Sequence, residues 1–239
     1  MNPTLNAYPA RPHRHLLTQG ALDALPLVMA AAPVAVIVAA IGMANGLSPW
    51  TLAGMSLFVF AGSAQFIAAT LAGTDVSVWI IILTVWIVNL RHVLYATHLM
   101  PHFSTLPQRI RGPLAFILTD EAFATTVSRL NTQTPGNIAW YYAGAGLCLY
   151  LFWQIATVAG LVAGQQFPEI NDWGLEVAMV VAFTGVVVGS LKNHAGWACA
   201  ATAGAAMLLT HDWPNQLGLL TSALLGIAVG VGLQRRVAQ

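Results

Sequence analysis

The amino-acid sequence predicts an all-α polytopic membrane protein with seven or eight transmembrane helices in one bundle, some of them broken or re-entrant. Composition gives the first reason. Of 239 residues, 57% are hydrophobic and 7% charged, and the mean hydropathy is +0.71. A soluble domain carries about 25% charged residues, and eight acids with nine Lys/Arg cannot clothe a globular surface of this size. Segmentation gives the second, because apolar runs recur at 22–44, 49–72, 76–100, 112–130, 139–164, 174–191, 195–210 and 216–233. The third is that polar and ionisable residues sit inside several of those runs. A net charge of +1 offers no clustered basic face, so nucleic acid is excluded as a partner.

The elements follow in order. Residues 1–20 carry Arg11, His13, Arg14 and His15, a basic flank that places this segment in the cytoplasm. The run from Leu22 to Ala44 is about one bilayer crossing long, which makes it an uncleaved first helix rather than a signal peptide. Breakers separate the later runs: "NGLSPW", "AGTD", "MPHFSTLPQRIRGP", "NTQTPGN" and "QQFPEINDWG". None is long enough to be a domain linker, so 21–233 forms a single bundle with a tail at 234–239. The runs at 112–130 and 195–210 are short for a straight crossing of about 20 residues and suit half-helices, tilted helices or hairpin arms. Lys192, Asn193 and His194 read as a loop, and Glu169, Asp172 and Glu176 as a solvated face. Cys148 and Cys199 behave as small hydrophobes.

Charge placement conflicts with simple alternation. Arg109, Arg111 and Arg129, like Arg235 and Arg236, favour the cytoplasm, whereas unbroken alternation puts the connection holding Arg109 outside. One earlier segment turning back without crossing removes the conflict. The run at 49–72 is the suspect, because it holds Gly62, Ser63 and Gln65 at its centre and re-entrant backbone is tolerated where it is buried in protein or lines a cavity. Gly62 permits local unwinding that would turn Ser63 and Gln65 into one cavity; close small-residue packing is the alternative. "GSAQFIAAT" and "TDEAFATT" each place a Phe, Phe66 and Phe123, just after small and polar residues. This echo is compatible with an inverted repeat.

The run at 76–100, if one helix, is about 37 Å long and places Arg91 about 13 Å from its nearer end. An ionised residue near a helix centre costs about 2.5 to 3.5 kcal/mol, so Arg91 is expected to face the interior with a partner. At 100° per residue Arg91, Tyr95 and His98 share one face, and Asn89 and His92 the adjoining one. Asp120 and Glu121 are adjacent in the next run, as a proton or cation site or as an interfacial pair at the end of a short helix. A structural polar knot is the competing reading of Arg91.

Enzyme and metal chemistry are not supported. "GSAQF" is not a GxSxG elbow, and His98 and His102 are separated by Pro101 with no acid or cysteine to complete a ligand set, so no cofactor is expected.

The stretches "FAGSAQFIAATLAG" (60–73), "ILTVWIVNLRHVLYATHLMPHF" (82–103), "LAFILTDEAFAT" (114–125) and "YYAGAGLCLYLFWQIATVAG" (141–160) resemble the AzlC family, the large subunit of branched-chain amino-acid exporters. The likeness weakens after about residue 180. It implies export of valine, leucine, isoleucine and often methionine across a bacterial inner membrane, together with a small membrane subunit of the AzlD type. Homo-oligomerisation is left open. The family's polar motifs fall on Ser63, Gln65, Asn89, Arg91, His92, Asp120 and Glu121. A zwitterion in a dry cavity needs receptors for both charges and an apolar pocket. Arg91 or the turn at Gly62 and Ser63, with Gln65 and Asn89, would take the carboxylate. Asp120 or Glu121 would take the ammonium group, or with His92 a coupling proton in an antiport cycle, and Phe66, Tyr95 and Phe123 would form the wall. A membrane scaffold or accessory subunit and a channel-like pathway are the competing functions.

Overall fold

The computed structural model describes residues 13–132, 138–166, 193–213 and 217–237, with the single positions 184, 188 and 191. Glu169, Asp172, Glu176, Lys192 and most of the run at 174–191 lie outside the described residues, as does Arg11. All regular structure among the described residues is helical: α1 His13–Ala44, α2 Pro49–Phe58, α3 Gly62–Leu71, α4 Val78–Asn89, α5 Arg91–Phe103, α6 Gln108–Phe116, α7 Asp120–Thr132, α8 Ile138–Gln166, α9 His194–Thr210 and α10 Leu217–Val237. Three helical stretches among them are long and apolar enough to cross a membrane: α1, α4 with α5, and α8. The runs expected at 49–72 and 112–130 are each two short helices, α2–α3 and α6–α7, neither long enough to cross alone.

The frame is α1 against α8. A Cβ added at Gly20 would collide with the Tyr141 carbonyl, one at Gly144 with the Leu17 carbonyl, and one at Gly160 would lie 2.6 Å from the Val36 carbonyl. Early residues of α1 therefore meet early residues of α8, and late meet late. The two helices run parallel, with backbones brought together by glycine as is common where helices pack in lipid.

The direction of each remaining element follows from where its ends are tied. Asn45, just past α1, donates from Nδ2 to the Ala69 carbonyl at 2.8 Å, so α3 finishes at the end of the bundle where α1 finished. α2 begins there too, after the Ser48 cap. The α2–α3 pair thus enters and returns. α4–α5 then runs back along the bundle until Phe103 packs on Tyr142, near the start of α8. From that opposite end α6 reaches inward to Phe116, which sits 5.7 Å from Tyr150. α7 returns until Arg129 meets Gln19 of α1. Two helical hairpins therefore enter from opposite ends.

Their inner ends need a chemical account, because backbone carbonyls away from water must find donors. After α2 the chain passes through Phe60 in the left-handed region, φ 45°, and an extended Ala61. The orphan carbonyls are taken by side chains. Gln154 Nε2 donates to Ser56 O at 3.0 Å and the Tyr150 hydroxyl to Leu57 O at 3.1 Å, while Met55 O, which already holds the Val59 and Phe60 N–H groups, also accepts Gln65 Nε2 at 2.7 Å. The second break is treated alike: the Tyr142 hydroxyl donates to Leu114 O at 2.9 Å, and Thr119 Oγ1 accepts from the Ala122 N–H at the start of α7. α8 thus holds both hairpins by tyrosines eight residues apart.

Of the two readings the sequence allowed for Gly62, local unwinding and close packing, the contacts match the second. The positive φ belongs to Phe60, while Gly62 is the first residue of α3 and lacks a side chain because Trp153 Cη2 stands 2.5 Å from where its Cβ would be.

Candidate functional site

Three helix starts converge between the hairpins. Ser63 is the second residue of α3, Arg91 the first of α5 and Asp120 the first of α7. Arg91 joins them: Nη1 lies 2.7 Å from Asp120 Oδ2, and Nη2 donates to Ser63 Oγ at 2.5 Å. The side chains of Arg91 and Asp120 remain 31% and 28% exposed, so the pair lines accessible space instead of being sealed in the packing.

Local geometry explains how an arginine comes to head a helix in the middle of an apolar span. At Leu90 the helical ladder tightens, with Leu90 N–H donating to Ile87 O and Val93 N–H to Leu90 O. The Asn89 carbonyl takes His92 Nδ1 at 3.1 Å, which makes Nδ1 the protonated ring nitrogen. α5 so gains its own N-terminus. Helix N-termini carry partial positive charge and free N–H groups, so three of them around one guanidinium make a receptor for an anionic group. Among the described residues, Asp120 supplies the compensating negative charge by direct contact. Glu121 follows it in the first turn of α7.

Several buried polar atoms here lack a partner: Asn89 Oδ1, Arg91 Nε and Asp120 Oδ1. Together they place an acceptor, a donor and an acceptor around one ion pair.

The residues that share a face by the 100° spacing all meet α7. Arg91 reaches Asp120, Tyr95 stacks on Phe123 with centroids 4.4 Å apart, and His98 meets the same ring edge-on at 5.6 Å. His92 lies edge-on to Tyr95 at 5.9 Å. Ser63 and Gln65 are not brought together. Ser63 faces Arg91, while Gln65, 2% exposed, accepts from Trp153 Nε1 at 3.2 Å as well as donating to Met55 O. Phe66 packs beside Ile37 and Val38 of α1, apart from the Tyr95–Phe123 stack.

Sequence reasoning missed the support beneath the site. Phe60, Phe116, Tyr150 and Trp153 form an aromatic cluster around the first break, with Phe60 and Tyr150 edge-to-face at 4.9 Å. Ser56 Oγ and Thr157 Oγ1 lie 2.7 Å apart, and Trp153 also donates to Ser56. A signal existed: in "YLFWQIAT" Tyr150, Trp153, Gln154 and Thr157 fall at helical spacing inside an apolar run.

Comparison with known proteins places this geometry. The inner membrane protein YgaZ of Escherichia coli is 31% identical over 161 residues, 64% of each chain. A membrane protein of Archaeoglobus fulgidus is 29% identical over 215 residues, 88% of this chain and 92% of its own. The branched-chain amino acid transport protein AzlC of Bacillus subtilis is 27% identical over 132 residues, 54% of this chain and 50% of its own. The chain thus spans a little under two thirds of the first of these relatives. No solved structure matches it. The model of the AzlC protein family matches residues 26–167, a stretch running from α1 through both hairpins to the end of α8 and enclosing the Arg91 site, and the chain belongs to that family.

Proposed function

We propose that this membrane protein exports the branched-chain amino acids valine, leucine and isoleucine, with methionine as a further substrate, from the cytoplasm by proton antiport, working with a small AzlD-type subunit. The observation that carries this is the bridge from Arg91 to both Ser63 and Asp120 where three helices start. It resembles an occupied receptor in which the protein's own charges stand in for those of a zwitterion.

Exchange follows from charge balance. An α-amino acid entering between Arg91 and Asp120 gives its carboxylate to the guanidinium and the N-termini of α3, α5 and α7, and its ammonium group to Asp120. Each protein charge trades one partner for another, so no uncompensated charge is left in low dielectric. The branched side chain lies on the Tyr95–Phe123 stack. A proton competes with the ammonium group for Asp120, and that competition couples the two fluxes; His92, Asn89 and Glu121 stand close enough to tune it. Two hairpins entering from opposite ends, each interrupted at its inner tip, support reading them as re-entrant arms of an inverted repeat with the solute near the membrane midplane.

With the start of α1 in the cytoplasm, Arg109, Arg111 and Arg129 fall on the cytoplasmic side, because α6–α7 enters from that end. The charge conflict in the sequence then disappears. The test is efflux of labelled leucine from vesicles under an imposed pH gradient, with and without the candidate subunit. Saturable efflux that responds to the gradient is expected; efflux indifferent to it overturns the coupling, and a folded Arg91→Gln variant with normal efflux overturns the site.

A further inference from the structure

A second polar cluster lies away from Arg91, at the end of the bundle where α1 begins. There α1, α7 and α8 surround an open cleft of about 500 Å³, within the range of small-molecule sites. Both signs of charge line it, Asp23 from α1 and Arg129 from the last turn of α7. Tyr141 sits between them: its hydroxyl donates to Asp23 Oδ2 at 2.7 Å, and the Arg129 guanidinium lies over its ring, 5.4 Å from the centroid. Arg129 is steadied further by Gln19 Oε1 at 3.2 Å. Leu22, Pro26 and Leu27 of α1 give the cleft an apolar flank, and Ala124, Thr125 and Ser128 of α7 complete the wall with two hydroxyls.

An acid and a guanidinium held apart by an aromatic ring, beside an apolar flank, match the same three-part chemistry as the central site. α7 connects the two. Asp120 is its first residue and Arg129 lies nine positions on, an axial separation of about 13 Å. We propose that this cleft is a second amino-acid site, a vestibule in which the zwitterion is held, ammonium toward Asp23 and carboxylate toward Arg129, on its way to Arg91 and Asp120. The proposal rests on the transport reading. A phosphatidylethanolamine headgroup offers the same pair of charges, so the test must separate the two sources.

Equilibrium binding of labelled leucine to the purified full chain in phosphatidylcholine nanodiscs reads the number of sites. Two leucines per chain are expected. Asp23→Asn, which keeps an oxygen to accept the Tyr141 hydroxyl, and Arg129→Gln should each weaken one of them roughly tenfold or more, while Asp120→Asn weakens the other. Leu22→Trp, which fills the cleft from an exposed position without touching the polar groups, should remove the vestibule leucine from a chain that still elutes as one species. One leucine per chain, lost with Asp120→Asn and unaffected by Asp23→Asn and Leu22→Trp, overturns the vestibule and leaves the transport reading standing. No binding at all overturns both. Loss of only the vestibule leucine when phosphatidylethanolamine replaces phosphatidylcholine assigns the cleft to lipid and overturns the free amino acid as occupant.

Discussion

Arg91 uses two different nitrogens for two different helices, and a lysine has no second prong with which to do so. Arg91→Lys should therefore fold, keep the Asp120 contact and release Ser63, lowering leucine efflux by roughly tenfold to a hundredfold, about 1.5 to 3 kcal/mol for a hydrogen bond to a charged group. Arg91→Gln should abolish efflux and leave the half-buried Asp120 without its cation. At Gly62 the issue is space: Gly62→Ala sets a methyl group against Trp153, and overpacking of this kind costs about 1–3 kcal/mol, visible as a lower thermal midpoint in detergent. Arg91, Ser63 and Asp120 were legible in the sequence because ionisable and polar groups stand out in an apolar run. Gln65 stood out equally, but its partner Trp153 lies 88 positions away, and spacing along a chain does not encode a contact across two helices.

The hairpins depend on α8 for the donors that their interrupted backbones lack. Replacing Gln154 by Leu leaves the Ser56 carbonyl without its side-chain donor. Replacing Trp153 by Phe withdraws a donor from both Ser56 Oγ and Gln65 Oε1. Each should destabilise the protein by about 1–3 kcal/mol, and a double-mutant cycle of Trp153→Phe with Gln65→Leu should be strongly non-additive, since one interaction is removed twice. Thermal unfolding of the four proteins measures it; additive effects contradict the network. Of these elements the sequence revealed the runs and pointed to interruption in both, but not the residues at which each chain breaks. Phe60 adopts a conformation unusual for a bulky residue, held by aromatic neighbours, and the letters "VFA" carry no breaker signal. The second break at 117–119 is hidden in "ILT" for the same reason.

At the scale of the molecule, opposite entry of the two hairpins makes a prediction about sidedness. With Cys148 and Cys199 replaced, single cysteines at Gly46 and Thr74 should react with an impermeant thiol reagent from one side of the membrane. Cysteines at Ser104 and Gly112 should react from the other, the side of the N-terminus. Labelling of all four from one side, or alternation of Gly46 with Thr74, contradicts the hairpin geometry. The sequence held this as a mismatch between arginine placement and helix counting, beside a short run at 112–130 and a brief echo between the two segments. That mismatch could say that one run fails to cross, but neither that two do so nor that they oppose each other.

The glycine-mediated union of α1 with α8 bears on how the proposed carrier would move. Two rods whose main chains touch at Gly20, Gly144 and Gly160 cannot slide or rotate against each other without collision, so they behave as a stator. Any rocking that opens the solute to one side and then the other falls to the short arms and to the α4–α5 rod beside them, and cross-linking the stator should leave turnover intact.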